Sequence, residues 1–339
     1  MAEPLGVAIS LITGVAGQDG AYLAKVCLEQ GEQVFGLVRP GRDVTDAPFV
    51  RMGLGSHVSV IEADLNDLTQ LRAVLAMAKP DRVFNLAAQS SVARSFEDPL
   101  GAFAANAAAP LALLEAIRRD RPDVRFVQAS TAEIFGAVVG VCTEQSPLRP
   151  CNPYALAKAS AHEAVRLYRE VFGLFACNAI LFAHESPYRP SGFVTQKIIH
   201  AFRAMRDSDG PVLSLGNLDA QRDWGYAGDY MEGMRRMAWA AAADDFILAS
   251  GQARSVRRFV EVAAEAFGFD IVWSGAGVNE VGRDRASGQI RVEVNPAFFR
   301  PSDPGCFVGS FAKIEQVLGW RPTVGFEALV GILAAGSAH

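Results

Sequence analysis

Tyr154 and Lys158 stand four residues apart, and upstream of them lie Ser130, Thr131 and Glu133. Positions i and i+4 share one face of a helix, so phenol and ammonium would lie side by side. A nearby ammonium favours the phenolate and lowers the tyrosine pKa toward working pH, which makes Tyr154 a base for a hydroxyl proton. Thr131 would hydrogen-bond the reacting oxygen, and Lys158 can also bond a nicotinamide ribose. Glu133 widens the chemistry. A dehydrogenase needs one base at the carbinol, whereas a second carboxylate could take the proton α to a new carbonyl and pass one to a departing hydroxyl, eliminating water. A solvated glutamate at a strand end would look the same in isolation.

A second group of residues lies near the start, Thr13-Gly14-Val15-Ala16-Gly17-Gln18-Asp19-Gly20. Its glycines are spaced G-x-x-G-x-x-G, between an apolar run and a helical segment. There, glycine lets the backbone approach a pyrophosphate that rests on the helix N-terminus. A tight turn with no ligand is the plainer alternative. Gly14, Val15, Ala16, Gly17, Gln18 and Asp19 are the expected cofactor contacts. After the second apolar run stands Arg39, with Arg42 close behind and no acid before Asp43. A carboxylate there would suit the ribose hydroxyl of NAD, and arginine suits the extra phosphate of NADP, so NADP is the expected cofactor. Asp64 and Leu65 would meet the adenine. Leu86, Ala87, Ala88, Gln89 and Ser90 would line the ribose and nicotinamide side. Both segments also make sense as ordinary strand ends.

These groups need a frame. Val7–Ile12, Gln33–Val38, Val58–Ile61, Arg82–Leu86 and Val124–Gln128 read as buried parallel strands with helical segments between them. Ala21–Gln30 reads as the first helix, stopped by Gly31 in the left-handed conformation. The alternation predicts βαβ units and an α/β fold with a doubly wound, Rossmann-type parallel sheet. Phe246–Ala249 adds a later core strand. The expected division is a nucleotide-binding domain over 1–182, with 218–252 returning to it. A smaller interleaved substrate lobe takes 183–217 and 253–330. The alanine-rich helical segments Asn106–Arg119 and Pro153–Phe172 could pack between subunits or simply cover the sheet.

Composition excludes several classes. Half the 339 residues are hydrophobic, a fifth are charged, and the net charge is -5. Nothing favours disorder, nucleic acid or an anionic membrane as partner. Cys27, Cys142, Cys151, Cys177 and Cys306 are scattered, which favours reduced thiols over a disulfide framework. The five histidines show no metal-ligand spacing, so no metal is expected. Glu3 and Pro4 interrupt any signal-like start and no stretch of about 18 unbroken apolar residues occurs. A cytoplasmic location is expected.

Taken together, the residues resemble the GDP-mannose 4,6-dehydratase branch of the extended short-chain dehydrogenase/reductase family, from about residue 8 to 325. Further matching stretches are His184-Glu185-Ser186-Pro187, Phe193-Val194-Thr195, Leu215 to Gly225, Phe299-Arg300-Pro301 and Leu318-Gly319-Trp320-Arg321-Pro322. The resemblance implies that Tyr154 takes the proton of a sugar 4-hydroxyl while hydride passes to NADP⁺. Glu133 would remove the C5 proton and help the C6 hydroxyl leave as water, and the hydride would return to C6. It also implies that His184 and Arg189 contact the cofactor. Glu185 and Lys197 would face the substrate, and Arg222 and Arg300 would hold its diphosphate. The expected partner is a GDP-linked sugar, and the expected assembly is a homodimer or homotetramer.

The chain departs from that pattern on the substrate side. Ala183 stands where asparagine is usual, Gln196 where arginine is usual, and Arg189-Pro190-Ser191-Gly192 is unlike the usual stretch. Ser302-Asp303 replaces Thr-Glu, and Cys151-Asn152 replaces Arg-Ser. These changes leave the sugar and base open, a heptose or another nucleotide included. Two other readings stay in play. One is a 4-keto-sugar-nucleotide reductase or epimerase on the same scaffold, against which Glu133 argues. The other is a catalytically silent NADP-binding sensor, which would have been free to lose Thr131, Glu133, Tyr154 and Lys158.

Overall fold

The structure is a computed structural model and describes residues 6–138, 140–208, 210–298 and 307–336. Its first half alternates strand and helix: β1 (Ile9–Thr13), α1 (Gln18–Glu29), β2 (Gln33–Val38), α2 (Pro48–Arg51), β3 (Val58–Glu62), α3 (Leu68–Ala78) and β4 (Arg82–Asn85). Then come α4 (Val92–Glu97), α5 (Pro99–Phe103), α6 (Ala109–Asp120), β5 (Arg125–Thr131), β6 (Gly140–Cys142), α7 (Pro153–Glu170) and β7 (Ala176–Leu181). The second half adds β8 (Ala183–Glu185), α8 (Val194–Ser208), β9 (Leu213–Leu215), β10 (Gln221–Tyr226), α9 (Ala227–Ala238) and β11 (Phe246–Leu248). It closes with β12 (Ala253–Ser255), α10 (Val256–Ala266), β13 (Ile271–Ser274), β14 (Val281–Asp284), β15 (Ile290–Val294), β16 (Phe307–Gly309), α11 (Ala312–Leu318) and α12 (Phe326–Ala335).

Seven parallel strands form the main sheet in the order β11-β7-β5-β4-β1-β2-β3. Side chains alternate along a strand, and the two faces bury different partners. Ile12, Phe84 and Val127 pack with α1 and α9, while their neighbours Leu11, Val83 and Phe126 pack with α3, α6 and α7. This is the expected doubly wound α/β sheet. The strand order reverses between β1 and β4, and in such sheets a crevice opens outside the carboxyl ends of the strands at the reversal.

A second core gathers residues from α8, α10, α12, β9 and β15, among them Phe202, Leu215, Phe259, Val292 and Leu329. Two short sheets, β12-β10-β8 and β13-β14-β15-β9, frame it, while the pair β16-β6 lies against main-sheet core residues such as Phe182, Ile247 and Ala249. Gly31, expected to end α1, has φ +76. The helix expected from Asn106 begins earlier, at Pro99, where Asp98 accepts Gly101 N–H at 2.9 Å. A π-turn at Ala104–Ala108 precedes Pro110 in this run. Proline lacks an N–H and crowds the preceding turn, and a wider turn relieves both. Pro99–Asp120 is apolar and long enough to cross a membrane by composition, yet half of it is buried in this fold.

Candidate active site

The glycine turn closes β1 against the end of β4. Gly14 has φ +72, and a Cβ there would lie 2.8 Å from Ala87 N. A Cβ on Gly20 would strike the backbone of Gly14 and Val15. Only glycine fits either position. Thr13 Oγ1 accepts Leu86 N–H at 3.2 Å and Ala87 N–H at 3.1 Å, which fixes the facing loop. Gly17 caps α1 without a side chain, so the first turn of that helix keeps backbone donors for an anion.

A groove of about 640 Å³ runs along this edge. Gly14, Ala16, Gly17, Gln18 and Asp19 line its middle, Arg39, Asp64 and Leu65 one end, and Leu86 to Ser90 with Arg189 the other. Val15 is different. Its side chain is wholly buried beneath Gly36, so only its backbone is available to a ligand. Gln89 Oε1, on a groove residue, is buried without a hydrogen-bond partner. An orphaned polar atom and a cradle that admits only glycine both suit a dinucleotide.

His184 sits behind the groove. Its Nε2 is 3.0 Å from Asp19 Oδ2, and its Nδ1 pairs with Phe182 O at 2.7 Å. Burial opposes charge on both members of this pair, and their mutual attraction overrides it. Asp19 is held down to about 2, and His184 is raised above its ordinary value. Gln18 Oε1 accepts from Ser186 Oγ at 2.8 Å, so α1 is fastened at two points, to β8 at His184 and to Ser186 just after it.

The four acid–base residues converge from three elements. Thr131 ends β5 and accepts Glu133 N–H at 3.3 Å. Glu133 lies on a single 3-10 turn, Ala132–Phe135, and its Oε2 accepts from Asn152 Nδ2 at 3.3 Å. Tyr154 and Lys158 share the inner face of α7 and are buried. Tyr154 N–H donates to Ser95 Oγ at 3.2 Å, and Lys158 Nζ donates to Ala129 O at 2.9 Å. These residues do not form the groove wall, but the groove residues Asp19 and Arg189 act electrostatically on Tyr154.

The expected lowering of the tyrosine pKa is corrected here. Burial pushes Tyr154 up to about 12, and Glu133 adds to it, against a hydrogen bond to Thr131 that favours the phenolate. Burial also pushes Lys158 down to about 8. The lysine is aimed at a carbonyl of β5, and desolvation outweighs it. A wider cleft of about 810 Å³ beside α7 holds none of these groups. Its charges pair with one another: Arg169 binds Asp245 at 2.8 Å, and His162 sits between Ser130 Oγ at 3.1 Å and Asp245 at 3.6 Å.

The sequence profile of the family described as GDP-mannose 4,6 dehydratase matches residues 11–333. The chain belongs to the GDP-mannose 4,6-dehydratase family. It is 42% identical over 321 residues to a GDP-mannose 4,6-dehydratase of Sinorhizobium fredii (strain HH103), covering 92% of each chain. It is 38% identical over 339 residues to the GDP-mannose 4,6 dehydratase of Homo sapiens, covering 97% of this chain and 91% of that one. Among solved structures, a UDP-glucose 4-epimerase of Thermus thermophilus in complex with NAD superposes with a TM-score of 0.78 at 26% identity, covering 96% and 98%. A dTDP-glucose 4,6-dehydratase of Bacillus anthracis shares the fold, with a TM-score of 0.80 at 17% identity, covering 97% and 96%.

On the side where this GDP-mannose 4,6-dehydratase family member departs from its pattern, the groups are mostly engaged. Glu185 is buried, accepts from Thr195 Oγ1 at 2.7 Å, and lies 3.5 Å from Arg189. Lys197 Nζ donates to Ser214 O at 2.6 Å and sits over the Phe298 ring. Gln196 donates to Ser186 O at 2.9 Å. Arg222 donates to its neighbour's carbonyl at 2.7 Å. Arg300, with Ser302 and Asp303, lies outside the described residues. Sequence reasoning missed Arg94 and Phe193 in the groove wall and the contact of Asn152 with Glu133. The signal for Asn152 was an asparagine directly before Pro153, a helix-start pattern.

Proposed function

We propose that this chain is a sugar-nucleotide 4,6-dehydratase that converts GDP-mannose, or a close analogue, to the 4-keto-6-deoxy sugar nucleotide, with NADP as recycled cofactor. When bound, the nicotinamide dinucleotide takes a hydride from C4 and gives it back at C6. Tyr154 takes the proton of the C4 hydroxyl, and Thr131 steadies the oxygen as it becomes a carbonyl. Glu133 removes the C5 proton, which the carbonyl has made acidic. The C5–H pair becomes the C5–C6 double bond, the C6–O bond breaks, and Glu133 passes its proton to the departing hydroxyl, which leaves as water. The proton held by Tyr154 is returned at C5 as the hydride arrives at C6. Atoms balance with one water lost.

The observation that carries this reading is the meeting of Thr131, Glu133 and Tyr154, where a reductase or epimerase has no task for the carboxylate. NADP is favoured over NAD by Arg39 and Arg42, both exposed at one end of the groove. We take the part built on the second core, 183–217 and 253–330, as the substrate lobe. Exposed Leu100, Phe103, Leu111, Leu156 and Leu167 on α5, α6 and α7 fit a self-complementary subunit contact in a homodimer or homotetramer. Free thiols at Cys27, Cys142, Cys151 and Cys177 fit a cytoplasmic setting. The test is mass spectrometry after incubation with GDP-mannose and catalytic NADP⁺. Loss of one water without net NADPH is the expected result. Intact GDP-mannose, or a product formed only with stoichiometric NADPH, would overturn the assignment.

A further inference from the structure

Asn152 makes two hydrogen bonds with two different jobs, beside a long contact from its Nδ2 to Cys151 Sγ at 4.0 Å. Its Oδ1 accepts Ala155 N–H at 2.8 Å, the side-chain cap of α7, the helix that carries Tyr154 and Lys158. Its Nδ2 donates to Glu133 Oε2 at 3.3 Å. One planar amide thus spans from the start of the helix with the phenol to the short turn with the carboxylate. Asn152 is itself buried, and its backbone is extended, at φ -149 and ψ 164, as a helix-capping residue requires.

The cap alone does not demand asparagine. Serine, aspartate and asparagine all cap well, because each offers an oxygen to the first-turn N–H groups. Aspartate offers no donor, the serine hydroxyl must cap and donate through one atom, and asparagine alone carries its donors on a nitrogen separate from the capping oxygen. Glu133 needs such a partner. Its turn is a single 3-10 turn with no further helix to brace it, and a three-torsion side chain left free samples many rotamers. Thr131 braces the Glu133 backbone N–H rather than the carboxylate. The amide of Asn152 therefore fixes one carboxylate oxygen and leaves the other for chemistry.

We propose that Asn152 is a positioning residue for the elimination step, holding the Glu133 carboxylate at a set place relative to Tyr154. This rests on the dehydratase reading for its catalytic consequence but not for the contact itself. A misplacement of an acid–base group by a fraction of an ångström is enough to slow proton transfer. The step affected is removal of the C5 proton by Glu133 and its delivery to the C6 hydroxyl. Transfer of the C4 hydroxyl proton to Tyr154 is untouched.

Two measurements test the proposal, both on the full-length protein. The first is steady-state and single-turnover kinetics of Asn152→Ser and Asn152→Asp with GDP-mannose and NADP⁺. Asn152→Asp keeps the cap, removes the donor, sets a second carboxylate against Glu133, and should lower kcat by at least about tenfold while KM stays within about twofold. Asn152→Ser, the residue usual in the family, keeps both the cap and an O–H donor and should retain more of kcat. The first half-reaction, read as transient reduced nicotinamide, should keep its rate, and a C5-deuterated substrate should show a larger isotope effect than with the parent. A parent-like kcat in Asn152→Asp, or equal slowing of both half-reactions, would overturn the proposal. The second measurement needs no substrate. Asn152→Asp should lower the thermal midpoint by about 2 °C when Glu133 is present and leave it unmoved in a Glu133→Ala background. Equal shifts in both backgrounds would show that Asn152 only caps. If the parent leaves GDP-mannose unconverted, the dehydratase reading fails, and this cycle still decides the contact.

Discussion

A Lys158→Met substitution removes a buried ammonium from a position where folding holds it against its preference. Lys158 is pushed from its ordinary value near 10.5 down to about 8. At about 1.4 kcal/mol per tenfold, protonated Lys158 weakens the fold by about 3 kcal/mol at pH 7. The sign follows from linkage. A lysine whose pKa is depressed by folding destabilises fully below the folded value, less as pH climbs from about 8 toward 10.5, and not at all beyond. Methionine is of similar length and carries no charge. It forfeits the hydrogen bond to Ala129 O, but that carbonyl keeps Gln128 Nε2 at 2.9 Å. The net gain at pH 7 is about 2–3 kcal/mol, or a rise of about 3–4 °C in thermal midpoint for a chain this size. By pH 9.5 the charge contribution falls to less than half of its value at pH 7, so the gap between variant and parent should narrow. The assay is differential scanning fluorimetry of nucleotide-free protein from pH 6.5 to 9.5, with turnover measured in parallel. Turnover should be lost. A variant no more stable than the parent at pH 7, or a gap that widens with pH, would refute the reasoning that burial governs Lys158.

Three further outcomes are expected. Gly14→Ala forces a side chain onto a backbone at φ +72, a conformation worth about 1–3 kcal/mol of strain, with its Cβ 2.8 Å from Ala87 N. Calorimetry should show NADP⁺ affinity reduced by at least about tenfold. Arg39→Glu should weaken NADP⁺ binding by about tenfold to a hundredfold while improving NAD⁺, since a charge-assisted hydrogen bond is worth about 1.5–3 kcal/mol. Unchanged selectivity would locate discrimination elsewhere. Leu100→Arg, on a side chain 85% exposed in the single chain, should shift the mass measured by light scattering toward the monomer, whereas an unchanged mass would remove α5 from the subunit contact.

Much of the fold was legible because parallel strands buried on both faces announce themselves as apolar runs, and six of the seven main-sheet strands were read in that way. Gly14 and Gly20 were legible because a requirement for no side chain is written directly in residue type. What escaped depends on residues far apart in the chain. β15 pairs with the three-residue β9, and β16 with β6, both of three residues and too short to carry a periodic signal. The pKa of Tyr154 was misjudged because i, i+4 spacing shows which residues are neighbours but not how much water reaches them, and here burial dominates. Val15 fell inside a motif whose neighbours face the groove, and strand-end geometry turned its side chain inward. Asn152 carried a capping signal, while its partner nineteen positions earlier was a matter of three-dimensional approach.

The two fastenings of α1, to His184 in β8 and to Ser186 just after it, set a rule for building chimeras. A graft that exchanged the C-terminal part of this chain for a relative's, to alter the accepted sugar, would find a natural seam near residue 182, where β7 ends. The seam is not clean. His184 belongs to Asp19, and Ser186 to Gln18, so the donor's residues at both positions must answer an N-terminal helix they did not evolve beside. An unmatched partner at 184 would leave the partly buried Asp19 carboxylate without its imidazole, and the hybrid would lose folding yield before its specificity could be read.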